Sequence, residues 1–505
     1  MFENEKIDLV LLLVVVSFLS VYLFFQTYVI SFDGAFQYIP IAKDFASGLY
    51  KKALSQGEQP LYSLLVAFAY PWTSDWEVAG KLVSSFFGIL MIFPVYLLGR
   101  QIFDRKVAFV STLFLAIHPY IRRSSGDVLK ESTYLFFFAI AMLFAWWTLQ
   151  QERKRPYLFI PLFSAIAYLV RPDGIEVLLV VFIYILLIKK FNSPGEKWTV
   201  VSLLALSSVI FFLPYLLHVR ETTGVWTLSK AKTVQGIFSW EMMRGEGPYI
   251  KRIVLSFWGL NSGILTVYHP LYIFLLIVGL WKRGSSRLKT GEGLLISLFI
   301  LHYGVLFLLA SNLMTERGEN KTLQAALFSG RHVLPLLLIS IFWVGEGFGV
   351  ILHWVDKKVA SYRLSLGVAP KRKATLLGVI LLILVSVVVL PKTLKPQRYE
   401  RLTEKWAGIW IMNESGKEMT IFTNLPRVAY YAGGNCEYID VKKEIMDSIK
   451  ASMVKKGAIY LVLRGREVLG HSEMVEPIRK DFDEAMRYEE KGMEEIIIYR
   501  LAKGG

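Results

Sequence analysis

Long apolar runs are the dominant pattern of the chain. A helix needs about 20 mostly apolar residues to cross a bilayer, and inside lipid every backbone polar group must be satisfied within the segment. Runs of roughly this length recur from residue 8 to residue 391. They predict eleven membrane-spanning helices, whose ends such patterns place to within about 2–4 residues. The predicted spans are 8–30, 77–99, 107–121, 128–149, 157–170, 174–189, 198–218, 265–281, 293–310, 329–352 and 374–391.

Shorter patterns interrupt this series. Residues 39–49 have a helical apolar period with one polar side, which predicts an amphipathic helix on the membrane surface. Residues 60–70 are apolar but too few to span, so we predict a re-entrant or interfacial helix there. The sequence Arg171-Pro172-Asp173-Gly174 separates the fifth and sixth spans, because proline followed by Asp-Gly breaks helices.

The pattern changes near residue 395. Short β-rich runs then alternate with amphipathic helical patterns, which is typical of a small α/β domain. The predicted strands are 419–423, 458–463 and 495–499, and the predicted helices are about 440–455 and 472–488. The sequence therefore predicts a mainly α protein, with a transmembrane helical bundle over residues 1–394 and a soluble α/β domain over residues 395–505.

Composition supports a membrane protein. Hydrophobic residues make up 54% of the 505 residues and charged residues 19%, with a mean hydropathy of +0.45. The net charge of +16 resides largely in short loops between spans, so we do not expect nucleic acid as a partner. The single cysteine, Cys436, excludes an intramolecular disulfide and argues against a cysteine-based zinc site.

The same charges predict the orientation. Lysine and arginine are enriched in the loops at 100–106, 153–155, 189–197, 282–289 and 357–373. Cytoplasmic loops carry this excess, so we expect a cytoplasmic N-terminus and a multi-pass protein of the cell membrane. Loops 31–76, 219–264 and 311–328 would then face outward, as would the C-terminal domain after eleven spans. With one span more or fewer, the C-terminal domain would face inward.

Three carboxylates begin the predicted outer loops or the helices that follow them. Asp33 directly follows the first span, where an acid costs free energy unless it has a partner or a function. It is either a functional acid or the cap of the next helix. Asp127 and Glu131 are four residues apart, so they share one face at a helix start. Both could be functional, or could simply favour the helix dipole.

Arginines on the same predicted side are candidates for binding phosphate. These are Arg331, Arg171 and Arg123, and their alternative role is snorkelling to lipid headgroups. Carboxylates and arginines beside an apolar bundle suit a substrate with an apolar tail and a phosphate head, with one carboxylate activating an acceptor hydroxyl. The sequence contains no nucleotide phosphate loop or dinucleotide fingerprint.

Short motifs in a fixed order resemble a known family over about residues 8–391. The chain resembles the GT-C-fold membrane glycosyltransferases of the protein O-mannosyltransferase and lipid A aminoarabinose transferase group. The motifs are Asp33 after the first helix, Gln59-Pro60-Leu61-Tyr62, Lys81 to Phe103, His118-Pro119, Gly126 to Glu131, Leu169 to Gly174 and Gly330-Arg331-His332-Val333-Leu334-Pro335.

This resemblance implies transfer of a sugar from a polyprenyl-phosphate carrier to a lipid, glycan or protein acceptor on the outer side of the membrane. The family's catalytic acid in the first loop corresponds to Asp33, and its second-loop acid corresponds to Glu131, with Asp127 as the other candidate. The chain departs from the family at Gly34, where a second acid is common, and at Glu58-Gln59-Pro60, where His-Pro-Pro is common. The missing acid argues against protein mannosylation in particular. The sequence leaves open whether a divalent cation takes part.

Two alternatives remain at this stage. A transporter or flippase of a lipid-linked substrate would place its ionisable residues at the bilayer midplane in broken, repeated helices. Here most of them fall at the predicted outer rim, and the sequence has no evident internal repeat. A weaker alternative is a scaffold in which the soluble domain binds the partner.

The orientation can be tested by cysteine labelling. Cysteines introduced within residues 31–76 and 219–264 should react with an impermeant thiol reagent added from outside, and cysteines within 357–373 should not, because positive charge marks the cytoplasmic side. The reverse pattern would contradict both the orientation and the predicted outer site.

Overall fold

The computed structural model confirms the fold class, which is a helical bundle followed by a small α/β unit. Its described residues are 5–150, 155–188, 191, 193–230, 248–283, 290–312, 315–317, 322–324, 330–361, 370–416, 419–440, 446–470 and 472–502.

The first half of the chain is helical throughout its described residues, with short connections. Its helices are α1 (Glu5–Gln26), a π-helical turn (Gly34–Tyr38), α2 (Ile39–Ala46), α3 (Tyr50–Ser55), α4 (Leu61–Thr73), α5 (Trp76–Leu90), α6 (Ile92–Ile102), α7 (Arg105–Ile117), α8 (Pro119–Ser125), α9 (Glu131–Gln150), a 3₁₀ turn (Arg155–Leu158), α10 (Phe159–Tyr168), a 3₁₀ turn (Pro172–Ile175), α11 (Glu176–Leu187) and α12 (Pro194–Thr223).

The described residues of the rest of the bundle form five helices and a short antiparallel hairpin. They are α13 (Tyr249–Val267), α14 (Pro270–Arg283), α15 (Thr290–Asn312), β1 (Thr315–Arg317), β2 (Thr322–Gln324), a 3₁₀ turn (Gly330–Val333), α16 (Leu334–Ser361) and α17 (Pro370–Leu394).

Each predicted span overlaps a helix in the described residues, although the first helix ends at Gln26, four residues before the predicted end of its span. Among the described residues, seven helical stretches are long and apolar enough to cross a membrane, and the pair Tyr249–Val267 and Pro270–Lys282 passes the same criterion with a bend of 104°. The chain is therefore a multi-pass membrane protein. The span predicted at 107–121 divides at His118, because Pro119 begins a new helix.

One predicted loop was wrong. Residues 249–264 were assigned to an outer loop, but they form most of α13. Lys251 and Arg252 near the start of α13 lower the hydropathy of this stretch. The hydropathy pattern therefore did not predict a span there. Arg252 is nevertheless buried, and α13 packs against α15 and the 3₁₀ turn that precedes α16.

Ion pairs identify which helix ends lie together. At one end of the bundle, Glu5 pairs with Arg100 (2.6 Å), and the buried Asp8 accepts a hydrogen bond from Arg105 Nε (2.7 Å). The start of α1 therefore meets the connection between α6 and α7. The other end of α1 leads to Asp33, and the side chains described below come from that opposite end.

Helices α14 and α16 approach each other closely through glycines. A methyl group at Gly279 would overlap with the carbonyl oxygen of Trp343, and one at Gly347 would overlap with the carbonyl oxygen of Leu275. Small residues let two backbones come into contact, which is a common way to pack helices in membranes.

The C-terminal unit is a five-stranded mixed sheet between two helical layers. The strands are β3 (Thr420–Thr423), β4 (Asn435–Tyr438), β5 (Tyr460–Arg464), β6 (Phe482–Tyr488) and β7 (Ile496–Leu501), in the order β4-β3-β5-β7-β6. The helices are α18 (Leu402–Ser415), α19 (Pro426–Tyr431), α20 (Met446–Lys456), α21 (Gly465–Gly470) and α22 (Ser472–Asp481). One face packs on α18 and α19, and the other packs on α20 and α22.

The strand predictions were partly right. Strands form at the three predicted places, but the helix predicted over 472–488 ends at Asp481, and β6 follows it. Strand β4 was not predicted, since Asn435 and Glu437 have low β propensity. It pairs in parallel with β3, so hydrogen bonds to the neighbouring strand stabilise it despite its low β propensity.

The glycine contact gives a test of packing. Gly347→Ala should lower the free energy of unfolding by about 1–3 kcal/mol, because the methyl group forces α14 and α16 apart. Gly349→Ala is the matched control, since the space around that glycine is open. Thermal unfolding in detergent would measure both, and equal stabilities would contradict the close approach.

Candidate functional site

Four of the predicted site residues lie together at helix ends. Asp33 follows α1, Glu131 is the first residue of α9, Arg171 lies in the break between α10 and α11, and Arg331 lies in the 3₁₀ turn before α16. Their contacts place these four helix ends on one side of the bundle.

The four side chains form a row of alternating charge. Arg331 Nη1 pairs with Asp33 Oδ2 and lies 3.7 Å from Glu131 Oε1. Arg171 Nη1 lies 3.8 Å from the same Glu131 oxygen, so Glu131 is held between two guanidinium groups. Such pairing offsets the cost of removing each charge from water.

Exposure differs along this row. The side chains of Arg331 and Asp33 are 32% and 19% exposed, whereas those of Arg171 and Glu131 are 6% and 3% exposed. Asp33 and Arg331 therefore form the accessible layer of the site, and Glu131 and Arg171 lie beneath it. A ligand that enters from the surface meets the Asp33–Arg331 pair first.

Asp33 does not cap the helical turn that follows it. Its side chain makes no capping hydrogen bond, and the hydroxyl of Ser31 accepts the hydrogen bond from Gly34 N instead (3.0 Å). The same hydroxyl donates to Val128 O (2.7 Å). The capping alternative for Asp33 was therefore wrong, and its carboxylate is turned toward Arg331.

Arg171 is fixed by several groups. Its Nη2 lies 2.7 Å from Asp173 Oδ2 and 3.1 Å from His332 Nδ1, and its guanidinium lies over the ring of Tyr134. Arginine only donates, so His332 Nδ1 accepts. Burial alone would raise the pKa of Asp173, but the charges of Arg171, His302 and His332 and the hydrogen bond from Arg171 together lower that pKa to about 2. Asp173 therefore remains charged.

A second pair of residues supports His332. His302 Nε2 lies 3.0 Å from His332 O, and its Nδ1 lies 2.9 Å from Glu176 Oε2. A carbonyl oxygen only accepts, so His302 Nε2 donates there, and a proton is held between Nδ1 and the Glu176 carboxylate. Both side chains are buried.

Sequence reasoning did not select Glu58, Lys130 and Tyr38, which also lie at this site. Lys130 forms an ion pair with Glu58 and lies over the ring of Tyr38. Burial alone would raise the pKa of Glu58, but the charge and hydrogen bond of Lys130, together with the charges of Arg171 and Arg331, lower it. Burial raises the pKa of Tyr38, which stays a neutral phenol. The position of Lys130 directly before Glu131 was the sequence feature that could have indicated its place at the site.

Two predicted site residues lie elsewhere. Asp127 forms an ion pair with Arg398 and accepts hydrogen bonds from Val128 N (2.8 Å) and Ser31 N (3.2 Å). Arg123 lies near Arg398, and its carbonyl oxygen accepts a hydrogen bond from Gln397. Among the described contacts, neither side chain touches the row from Asp33 to Arg171, so their roles at the site stay predictions.

The carboxylates at the site are already matched with cations. Asp33 pairs with Arg331, and Glu58 pairs with Lys130. Within the described residues, no group of three or more histidine, cysteine, aspartate or glutamate side chains is arranged to hold a metal ion. In the part of the chain that the structure describes, these carboxylates therefore bind cationic side chains.

Comparison with known proteins supports the fold. A family model described as dolichyl-phosphate-mannose-protein mannosyltransferase matches residues 57–218, about a third of the chain. No curated protein is significantly similar in sequence.

Solved structures of similar fold include two transferases. ArnT from Cupriavidus metallidurans in the apo state is 13% identical with a TM-score of 0.60, and the match covers 98% of each chain. The same protein bound to undecaprenyl phosphate is 13% identical with a TM-score of 0.59, covering 98% of this chain and 97% of that one. The oligosaccharyltransferase AglB from Archaeoglobus fulgidus, with an inhibitory peptide and a dolichol-phosphate, is 12% identical with a TM-score of 0.56, covering 99% and 75%.

These matches confirm at the level of the fold the resemblance that the sequence motifs indicated. A bundle that agrees with ArnT over 98% of both chains, together with the family model over 57–218, identifies the architecture. The chain is therefore a multi-pass membrane protein with the GT-C fold of membrane glycosyltransferases.

Proposed function

We propose that the chain is a glycosyltransferase that moves a sugar from a polyprenyl-phosphate carrier to an acceptor hydroxyl on the outer side of the membrane. The observation that carries this proposal is the contact between Asp33 and Arg331, an acid and a phosphate-binding type of side chain in one accessible pair beside Glu131. The orientation follows from the charge asymmetry of the loops.

The donor class follows from Arg331 and from the related structures. Arginine binds phosphate with a planar fork of donors, and Arg331 is the more exposed of the two arginines in the row. ArnT is bound to undecaprenyl phosphate in one structure, and AglB to a dolichol-phosphate in another. A carrier whose tail lies in the bilayer would present its phosphate at the helix ends where Arg331 lies.

The reaction is a single displacement. The acceptor oxygen attacks the anomeric carbon of the sugar, its proton passes to the Asp33 carboxylate, and the bond between that carbon and the carrier phosphate oxygen breaks. The electron pair leaves with polyprenyl phosphate, whose charge Arg331 stabilises. Attack opposite to the leaving group inverts the anomeric centre. The side chains named here account for the proton and the charge.

Glu131 and Arg171 fix the orientation of the Arg331 guanidinium. When the donor phosphate takes over a guanidinium edge of Arg331, the Asp33 carboxylate is released from its ion pair and can accept a proton. Glu131, 3.7 Å from Arg331 Nη1, keeps the guanidinium at the site during this exchange. Arg171 is fully engaged with Asp173 and His332, so we assign it to holding Glu131 rather than to the donor.

A transporter fits this arrangement less well. Transporters of lipid-linked substrates place their ionisable groups in helices broken at the bilayer midplane. Here the residues of the charged row lie at or near helix ends. Asp33 follows α1, Glu131 begins α9, Arg171 follows α10 and Arg331 precedes α16. The acceptor is a lipid, a glycan or a protein, and each offers the hydroxyl that the mechanism needs.

The role of Arg331 can be tested by donor binding. Arg331→Lys should weaken binding of a polyprenyl-phosphate sugar by roughly 1–3 kcal/mol, because a point charge replaces a planar fork. Arg100→Lys is the matched control, since Arg100 pairs with Glu5 at the opposite end of the bundle, and its affinity should be unchanged. Isothermal titration with a short-chain donor would measure both, and wild-type affinity in Arg331→Ala would remove Arg331 from the site.

The proposed base can be tested by one isosteric change. Asp33→Asn should lower turnover by about 10²–10⁴-fold with the fold intact, because asparagine keeps the size but cannot take a proton. Asp75→Asn is the control, since Asp75 caps α5 through Val78 N in the same outer loop and asparagine can also cap. Release of carrier phosphate, followed by mass spectrometry, measures the rate. Near-normal turnover of Asp33→Asn would shift the search for the base to Glu131 or Asp127.

A further inference from the structure

The short segment that connects α1 to Asp33 has no regular secondary structure of its own. Residues 28–31 lie outside helix and strand, and Val29, Ile30 and Ser31 are buried. Buried backbone N–H and C=O groups require partners, and here the helix ladder does not supply them. The partners of this segment therefore decide where Asp33 lies.

Most of these partners come from residues some 370–400 positions later in the chain. Ile30 N donates to the hydroxyl of Tyr431 (2.9 Å), and Ile30 O accepts from Arg427 Nε (2.8 Å). Val29 O accepts from Arg398 Nε (2.7 Å). Lys405 Nζ reaches Tyr28 O (3.4 Å), and Tyr28 N donates to Gln397 O (3.3 Å).

We propose that Arg398, Arg427 and Tyr431, here called the clamp, are positioning residues that hold the backbone of 28–31 and thereby aim Asp33 at Arg331. This inference rests on the proposed function, in which Asp33 takes the acceptor proton. The clamp residues do not touch the reacting atoms, and they act through the backbone of the segment.

Each clamp residue is itself fixed by a buried or partly buried acid of a different element. Arg398 pairs with the buried Asp127 at the start of the segment before α9, and Asp127 Oδ1 also accepts from Ser31 N. Arg427 Nη1 lies 2.9 Å from the buried Glu404 of α18. The hydroxyl of Tyr431 donates to Glu77 Oε2 of α5 (2.9 Å). The clamp thus joins the segment to three other parts of the fold.

This arrangement also gives Asp127 a function that differs from acid catalysis. Asp127 accepts from Ser31 N, and Ser31 Oγ accepts from Gly34 N on the far side of Asp33. Asp33 is therefore fixed from both directions along the chain. A charge-assisted pair with Arg398 keeps Asp127 in place for this task.

The test is hydrogen exchange combined with steady-state kinetics on the full-length protein. In the double variant Arg398→Lys/Arg427→Lys, lysine can still pair with Asp127 and Glu404 but lacks the Nε donor that reaches the backbone. The amides of Tyr28, Ile30 and Ser31 should exchange faster. The value of kcat should fall on the order of 10- to 10²-fold, as expected when a catalytic group is misplaced by about 1 Å. The KM for the donor should stay near the wild-type value, since Arg331 and Glu131 are untouched.

Two further variants keep the inference falsifiable. Tyr431→Phe removes only the hydroxyl, and it should increase exchange at Ile30 while lowering kcat in the same direction. Arg487→Lys is the matched control. Arg487 lies in the same C-terminal unit and binds the Glu484 carboxylate through two nitrogens, but its described contacts do not include residues 28–31. It should change neither exchange nor kcat.

Several outcomes would overturn the clamp. Unchanged exchange at 28–31 in the double variant would do so, as would faster exchange with an unchanged kcat. An equal loss in Arg487→Lys would mean that the C-terminal unit had merely been destabilised. Hydrogen exchange is measured without substrate, so the test of the clamp does not depend on the proposed function. The proposed function is contradicted separately, if Asp33→Asn keeps its turnover.

Discussion

The pairing of Asp33 with Arg331 is the interaction on which the rest of the site depends. A carboxylate and a guanidinium at the end of an apolar helical bundle are costly alone, and each lowers the cost of the other. Because Glu131 and Arg171 continue the alternation inward, removing any one charge leaves a neighbour unmatched. The fold therefore has to bring four helix ends to one place, and the break between α10 and α11 supplies Arg171 there.

The charged residues differ in role according to their depth in the bundle. The outer pair is accessible and can exchange partners with a ligand, whereas Arg171, Asp173, His332, His302 and Glu176 form a connected group beneath it. A rigid lower layer lets the upper one change partners without losing its geometry. That is the condition for electrostatic stabilisation that is arranged in advance of the reaction.

The sequence predicted the bundle well because lipid leaves helices as the available structure for long apolar runs. It also selected Asp33, Glu131, Arg171 and Arg331, which the structure brings together. It could not predict that Asp127 pairs with Arg398, or that Glu58 pairs with Lys130, because such long-range contacts leave no local pattern. The strand β6 was missed for a related reason, since its pairing with β7, rather than the amphipathic pattern that precedes it, determines its conformation.

The dependence of residues 28–31 on Gln397 to Tyr431 has a consequence for biosynthesis. Tyr28, Val29 and Ile30 emerge early, yet the groups that bind their backbone are about 370–400 residues away along the chain. At typical translation rates of about 5–20 residues per second, roughly 20–80 s separate the two events. The first helix is thus made long before the segment that follows it can adopt its final conformation. A chain that ends before residue 397 leaves the backbone of residues 28–30 without these partners, so the segment that leads to Asp33 is ordered late in synthesis.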